Sequence, residues 1–444
     1  MVARTLTLFL AALLAGCSPG EGLTQPPPTS NVPAEATAWI RANAIPFNTS
    51  QAGGPYDDLM PVKNLVGDAR LVSLGEATHG TREFFEMKHR MLEFLVREMG
   101  FSVFAIESEW AEATRIDQYV HTGQGNAHTL LTGLYFWTWR TQEVLDMIEW
   151  MRAYNADPSH PRKVSFVGVD SQFPTLAMDT VVAFLLRADT TAARVAGERY
   201  ACLRPYSNDA HGGHTQVYRL ASDAYRADCR TRVQQVHDDL AANRAKLEAA
   251  TSPAEYGFAL QASRAAMQGE DVISERDNTA RDRYMAENAG WWLDRMGGDA
   301  KMVLWAHNAH VSTQPDWMGS HLRSRFGEQM RVFGFRFYQG SFTAVNLDAN
   351  NLGTYSFGPA PAGTYEDYFH SAGLPRFVLS LHANAGAQGA SFLRSPRIMR
   401  EIGCCIRPSI PNFGYTQLVL ADAYDAIIYF DDTTASRLLP ARWE

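Results

Sequence analysis

The stretch Arg70-Leu71-Val72-Ser73-Leu74-Gly75-Glu76-Ala77-Thr78-His79-Gly80 decides how the chain is to be read. A short apolar run of strand length ends abruptly in a glycine and two groups able to handle protons near neutral pH. That is how a buried strand delivers chemistry to the edge of a sheet. The same design recurs at Met302-Val303-Leu304-Trp305-Ala306-His307-Asn308-Ala309-His310.

Between and around these runs the segments alternate. Strand-like Arg70 to Leu74 is followed by Thr81 to Met99, whose Phe84, Phe85, Met87, Met91, Leu92, Leu95 and Val96 recur at helical spacing before Gly100. A strand over Ser102 to Ile106, a helix from about Thr141 to Tyr154 and a strand over Lys163 to Val169 complete a βαβαβ pattern. Such alternation predicts an α/β fold, a mainly parallel sheet flanked by helices. Long Ala- and Arg-rich stretches from about 185 to 298 carry no strand signal and predict a helical insertion or cap. Strands resume at Lys301 to Trp305, Arg331 to Phe337 and Ala426 to Phe430.

In four of these strands the residue after the apolar run is polar: Glu76 with His79, then Glu107, then Asp170, then His307 with His310. Ligands of open α/β sheets bind beyond the carboxyl ends of the strands, so these groups are expected to share a crevice. Any one of them alone is better explained as a cap or a satisfied loop residue. Their repetition makes the case.

With 444 residues, 46% hydrophobic and 20% charged, the composition is that of a globular chain with a sizeable core. Forty basic against 48 acidic residues give a net charge of −8, which argues against nucleic acid as a partner. Residues 1–16 read as a lipoprotein signal peptide, with Arg4 ahead of a short apolar core and Leu14-Ala15-Gly16-Cys17 resembling a bacterial lipobox. Cys17 is then the lipidation site and residues 17–35, rich in Pro, a flexible tether. The implied location is exported and lipid-anchored to a bacterial membrane, the outer one facing the periplasm, with the anchor as the only membrane contact. Cys202 and Cys229 are the expected structural disulfide in that oxidising setting. Cys404 and Cys405 are adjacent, and a ring joining neighbours is strained, so one or both are expected to stay reduced or to pair elsewhere.

Gly75-Glu76-Ala77-Thr78-His79-Gly80-Thr81, together with Ala105-Ile106-Glu107-Ser108 and Trp305-Ala306-His307-Asn308-Ala309-His310, resembles the erythromycin esterase family. Arg281-Asp282-Arg283-Tyr284-Met285-Ala286-Glu287-Asn288 is similar to the signature that the family carries before its second His strand. The resemblance covers residues 36 to about 430, so 36–444 is read as one catalytic domain. It implies hydrolysis of a small-molecule ester or lactone by an activated water, with His79 as general base. Glu76 or Glu107 would orient its ring, and His307 and His310 would donate to the developing oxyanion.

Relatives commonly have Arg nine residues after the base, where this chain has Lys88. Lysine keeps the charge and loses the planar fork. Its alternative place is a solvated helix face; functionally it either holds a carboxylate or the oxyanion, or serves with Asp170, Trp110 and Trp137 in substrate binding. The Trp residues are read as the wall of an apolar pocket. No Gly-x-Ser-x-Gly elbow occurs, which disfavours a serine esterase. No cofactor is expected, although two Glu and three His in one crevice are also compatible with a divalent metal and a metal-dependent hydrolase. A ligand-capturing surface lipoprotein without turnover is the reading from a different class. Oligomeric state is not legible.

Overall fold

The structure, a computed structural model, describes residues 31–207, 213–274 and 279–440. The leader over 1–16, Cys17 and the tether as far as residue 30 lie outside them. In chain order the strands are β1 (Ala44–Pro46), β2 (Leu71–Leu74), β3 (Val103–Glu109), β4 (Ser165–Asp170), β5 (Met302–Trp305) and β6 (Met330–Asn346). They continue with β7 (Asn351–Phe357), β8 (Arg376–Ser380), β9 (Arg397–Arg400), β10 (Cys405–Ile406), β11 (Tyr415–Leu418) and β12 (Ala426–Thr433).

Ten of these form one sheet in the order β1-β8-β12-β6-β2-β5-β3-β4, with β7 and β10 also paired to β6, while β9 and β11 form a separate two-stranded sheet. β2 lies between β5 and β6, all parallel, with Leu74 opposite Trp305 on one side and Phe333 on the other. β3 pairs parallel with β5, so Ile106 also stands opposite Trp305. The fold class is therefore the mainly parallel α/β arrangement expected from the alternation. The antiparallel members β1, β7 and β8 were not legible as strands.

β2, β3 and β5 are buried along their whole length, which is why they read as apolar runs without alternation. The helix Arg82–Met99 packs beneath them and stops at Gly100, which takes φ 72° and returns its N–H to Leu95. β3 runs on past Ile106, so Glu107 lies within the strand rather than after it.

By its internal contacts the chain divides into two compact units, one from residues 108–115 and 168–288, the other from the rest of the described chain. The first is chiefly helical, with Thr175–Ala188, Thr190–Tyr200, Asp223–Ala242 and Pro253–Ser274 its longest complete helices. Cys202 and Cys229 are bonded there. The second contains most of the sheet and the groups described next. In it Cys404 and Cys405 are bonded to each other, contrary to the expectation. Their Cα atoms are 3.8 Å apart, a trans-peptide spacing. The backbone on either side is pinned, since Gly403 N–H meets the Ala77 carbonyl and the Cys404 carbonyl accepts from Val345 N–H.

Candidate active site

Glu76, His79, Lys88, Glu107, His307 and His310 are brought together in the second unit, at the carboxyl ends of β2, β3 and β5. Gly75 permits the approach, because a Cβ there would lie 2.2 Å from the Asn308 side-chain oxygen. Asn308 uses its amide to bridge to β6, giving to the Phe335 carbonyl and accepting from Phe335 N–H, both at 3.0 Å. Its own N–H reaches the Glu76 carbonyl at 2.9 Å. The two histidine segments are thereby tied at the backbone.

Glu76 is fully buried. Its Oε1 is 2.6 Å from His79 Nδ1, and its Oε2 accepts from Lys88 Nζ at 2.5 Å and from Trp305 Nε1 at 2.8 Å. Burial pushes this carboxyl up, but the Lys88 cation and the His79 bond together outweigh it and hold it below the usual carboxylate range. Glu76 is thus ionised, and of the two acids considered it is the one that orients His79. The carboxylate fixes the ring hydrogen on Nδ1 and leaves the Nε2 lone pair to accept a proton.

Lys88 is fully buried, not on a solvated face. It sits at helical spacing with Phe84, Met91, Leu92 and Leu95, so its side chain follows the apolar stripe inward. Nζ lies 4.3 Å from the Trp305 ring centroid. Burial lowers its pKa to about 8, against the opposing pull of Glu76 and then Glu107. It contacts Glu76, so the structure assigns it first to the carboxylate paired with His79.

Glu107 serves the second segment: its Oε2 accepts the His307 backbone N–H at 2.9 Å and its Oε1 is 3.3 Å from His310 Nε2. His307 caps the short helix Asn308–Val311, its Nδ1 accepting from Ala309 N–H at 3.3 Å. The His79 and His307 rings stand 5.1 Å apart between centroids. His310 is edge-on to Trp317 at 5.7 Å.

The aromatic group beside the base is Trp139, edge-on to His79 at 6.2 Å and to Trp305 at 5.7 Å. Trp137, the residue favoured by sequence, is half-buried and uses its carbonyl in the turn to Arg140. Trp110 and Asp170 belong to the other unit. There Trp110 packs on Phe258 at 4.9 Å, and Asp170 is held by Arg281 at 2.7 Å and Gln172 at 2.7 Å.

Two groups escaped sequence reasoning. Glu401 Oε1 is 3.0 Å from His307 Nε2, and Arg336, on β6, donates to Glu401 Oε2 at 3.0 Å. Burial raises the Glu401 carboxyl, yet Arg336 and then His307 bring it below the ordinary range. Among the described residues, no group of three or more His, Cys, Asp or Glu side chains is arranged to hold a metal ion.

Two histidines, each paired with a buried carboxylate at the ends of parallel strands, define the arrangement, and no serine elbow accompanies them in the sequence. A family model described as erythromycin esterase matches residues 96–433, and the chain belongs to that family. It is 27% identical over 338 residues to erythromycin esterase type II of Escherichia coli, covering 69% of this chain and 78% of that one. It is 22% identical over 429 residues to the putative hydrolase YbfO of Bacillus subtilis strain 168, covering 90% and 92%. A solved Bacillus cereus protein superimposes with a TM-score of 0.82 at 26% identity, over 93% of this chain and 100% of the other. Family and relatives together make the protein a hydrolase.

Proposed function

We propose that the protein hydrolyses a carboxylic ester or macrolactone with water activated by His79. The observation that carries this is the 2.6 Å contact between Glu76 Oε1 and His79 Nδ1, on a carboxylate already neutralised by Lys88. A carboxylate so compensated orients the imidazole and fixes its tautomer, with Nε2 free to face the substrate. Water gives a proton to His79 Nε2 as its oxygen bonds to the carbonyl carbon. His307 and His310 offer N–H groups to the oxygen that gains charge. Collapse breaks the bond to the alcohol oxygen, which takes the proton from His79. Base action and oxyanion stabilisation are each worth about 10²- to 10³-fold or more, enough together for a moderately activated ester.

The likeness to an enzyme named erythromycin esterase type II supports a macrolactone as the substrate class. The leader and Cys17 support an exported, lipid-anchored protein. The test is purified mature protein against macrolides, simple esters and lactones, with and without chelator. His79→Ala is expected to lower kcat by roughly 10³-fold or more while circular dichroism stays that of the parent. Activity is expected to survive exhaustive chelation. A His79→Ala protein with full activity overturns the mechanism, and activity lost to chelator and restored by a divalent metal replaces it with a metal-dependent one.

A further inference from the structure

The site contains the same arrangement twice. Lys88, Glu76 and His79 form one cation–carboxylate–histidine set; Arg336, Glu401 and His307 form the other. The second set is built as firmly as the first. Arg336 is fully buried and also donates to the Arg400 carbonyl at 2.5 Å and to the Tyr424 hydroxyl at 3.4 Å. The Glu401 N–H is fixed to the Gly414 carbonyl at 2.7 Å, and the His307 N–H to Glu107.

The two histidines differ in which nitrogen faces the acid. In His79 it is Nδ1, leaving Nε2 as acceptor. In His307 it is Nε2, while Nδ1 already accepts from Ala309 N–H. A nitrogen lone pair 3.0 Å from a carboxylate oxygen is repelled, whereas an N–H there is attracted. Backbone and carboxylate therefore select the same tautomer, with hydrogen on Nε2. Yet His307 Nε2 and Glu401 Oε1 are not aligned as a hydrogen bond, and among the described residues neither atom has another hydrogen-bond partner. The acid lies close enough to place the hydrogen without consuming it.

Gly403 borders that side of the ring. Gly403 stands over His307, and a Cβ on it would lie 3.6 Å from Nε2; its φ of 65° further favours glycine. The carbonyl of Gly403 also receives the His79 N–H at 2.9 Å, so the same residue borders both rings.

We propose that Glu401 is a positioning residue that keeps the ring hydrogen of His307 on Nε2, from where it is given to the substrate carbonyl oxygen as that oxygen gains charge. The catalytic half rests on the esterase reading above; the tautomer does not. Glu401→Gln is the deciding variant, because its amide can turn an N–H toward Nε2 and release the hydrogen to Nδ1 while retaining the bond from Arg336.

Two measurements on the full mature protein test it. Long-range proton–nitrogen correlation of histidine-labelled protein, with His307 assigned by loss of its signals in His307→Gln, is expected to show a protonated Nε2 and an unprotonated Nδ1. In Glu401→Gln the signals are expected to move toward the Nδ1–H tautomer. Against whichever ester the parent hydrolyses, kcat is expected to fall about 10²- to 10³-fold with KM within about twofold, the loss typical of one oxyanion donor. An unprotonated Nε2 in the parent overturns the proposal, as does a Glu401→Gln protein with parental tautomer and parental kcat. If that variant does not fold, the parental spectrum alone decides. If the parent hydrolyses no ester, the esterase reading falls, and the spectrum still confirms or refutes the role of Glu401 in placing the hydrogen.

Discussion

Lys88 carries the counter-charge for the acid that orients the base, and it does so from a fully buried position. Burying such a pair is costly, and removing one partner costs about 3–5 kcal/mol because the other is left charged in a poor solvent. Lys88→Met is therefore expected to lower the stability to unfolding by that amount, measured in urea, and to cost most of the activity. Its lowered pKa, about 8, sets an alkaline limb. Loss of its proton leaves Glu76 and Glu107 uncompensated beside His79, so under the proposed mechanism kcat/KM is expected to fall above about pH 8. Unfolding is not the cause of that limb. A free lysine keeps its proton to about pH 10.5, so between about 8 and 10.5 the unfolded chain binds the extra proton and this group adds stability as pH rises. Glu76 works at the other end: its lowered pKa contributes stability above the ordinary carboxylate value, which is lost as pH falls through the folded value. Lys88→Arg is expected to move the alkaline limb up by at least about one pH unit in a kcat/KM profile, since guanidinium stays charged. A limb that stays near 8 in that variant shows that another group sets it. The inward position of Lys88 follows from its helical spacing with Phe84 and Leu95, a relation not drawn from the sequence, which left a solvated helix face open. Glu401 was not legible, because it follows the mixed strand Arg397–Arg400 rather than an apolar run.

At the scale of elements, the segment from Glu401 to Cys405 is the strap that carries the second acid past the base. Ile402 and Gly403 both donate to the Ala77 carbonyl, Gly403 accepts from His79, and Cys405 enters β10 beside Val345. A disulfide between neighbours closes so small a loop that it restricts the unfolded chain little, about 1 kcal/mol in the loop-entropy account. Its contribution is local, to the stiffness of the strap. Replacing both Cys404 and Cys405 by Ser is expected to leave the thermal midpoint within about 3 °C of the parent and to lower kcat by about tenfold through looser placement of Glu401. A large fall in midpoint with unchanged kcat contradicts this division of roles. The parallel strands were legible because full burial turns them into apolar runs. β10, only two residues long, offers no such signal, and β7 is exposed enough to lack a pattern.

At the scale of the molecule, the two units draw on different sources of order. The sheet unit is held by long-range pairing, with the fully buried β2 and β5 at its centre. Among its described residues the helical unit has no sheet beyond the ends of β3 and β4, and the turn just after Thr190–Tyr200 is tied to the helix Asp223–Ala242 by Cys202–Cys229, 27 residues apart. Both cysteines are buried. Nearby in the same unit, Glu270 gathers Tyr218 at 2.8 Å, Arg230 at 3.0 Å and Ser274 at 2.7 Å, a polar knot that joins three helices. A loop of this length is worth about 3–4 kcal/mol to a folded chain, several times the neighbouring pair at Cys404. Replacing Cys202 and Cys229 together by Ser is therefore expected to lower the urea midpoint. Hydrogen exchange is expected to show why: amides of Asp223–Ala242 lose protection first, while those of β2 and β5 keep theirs, because opening the helices does not require breaking the parallel ladder. Equal loss of protection in the strands and the helices means that the two units unfold as one, and that the disulfide stabilises the whole chain rather than the segments it joins.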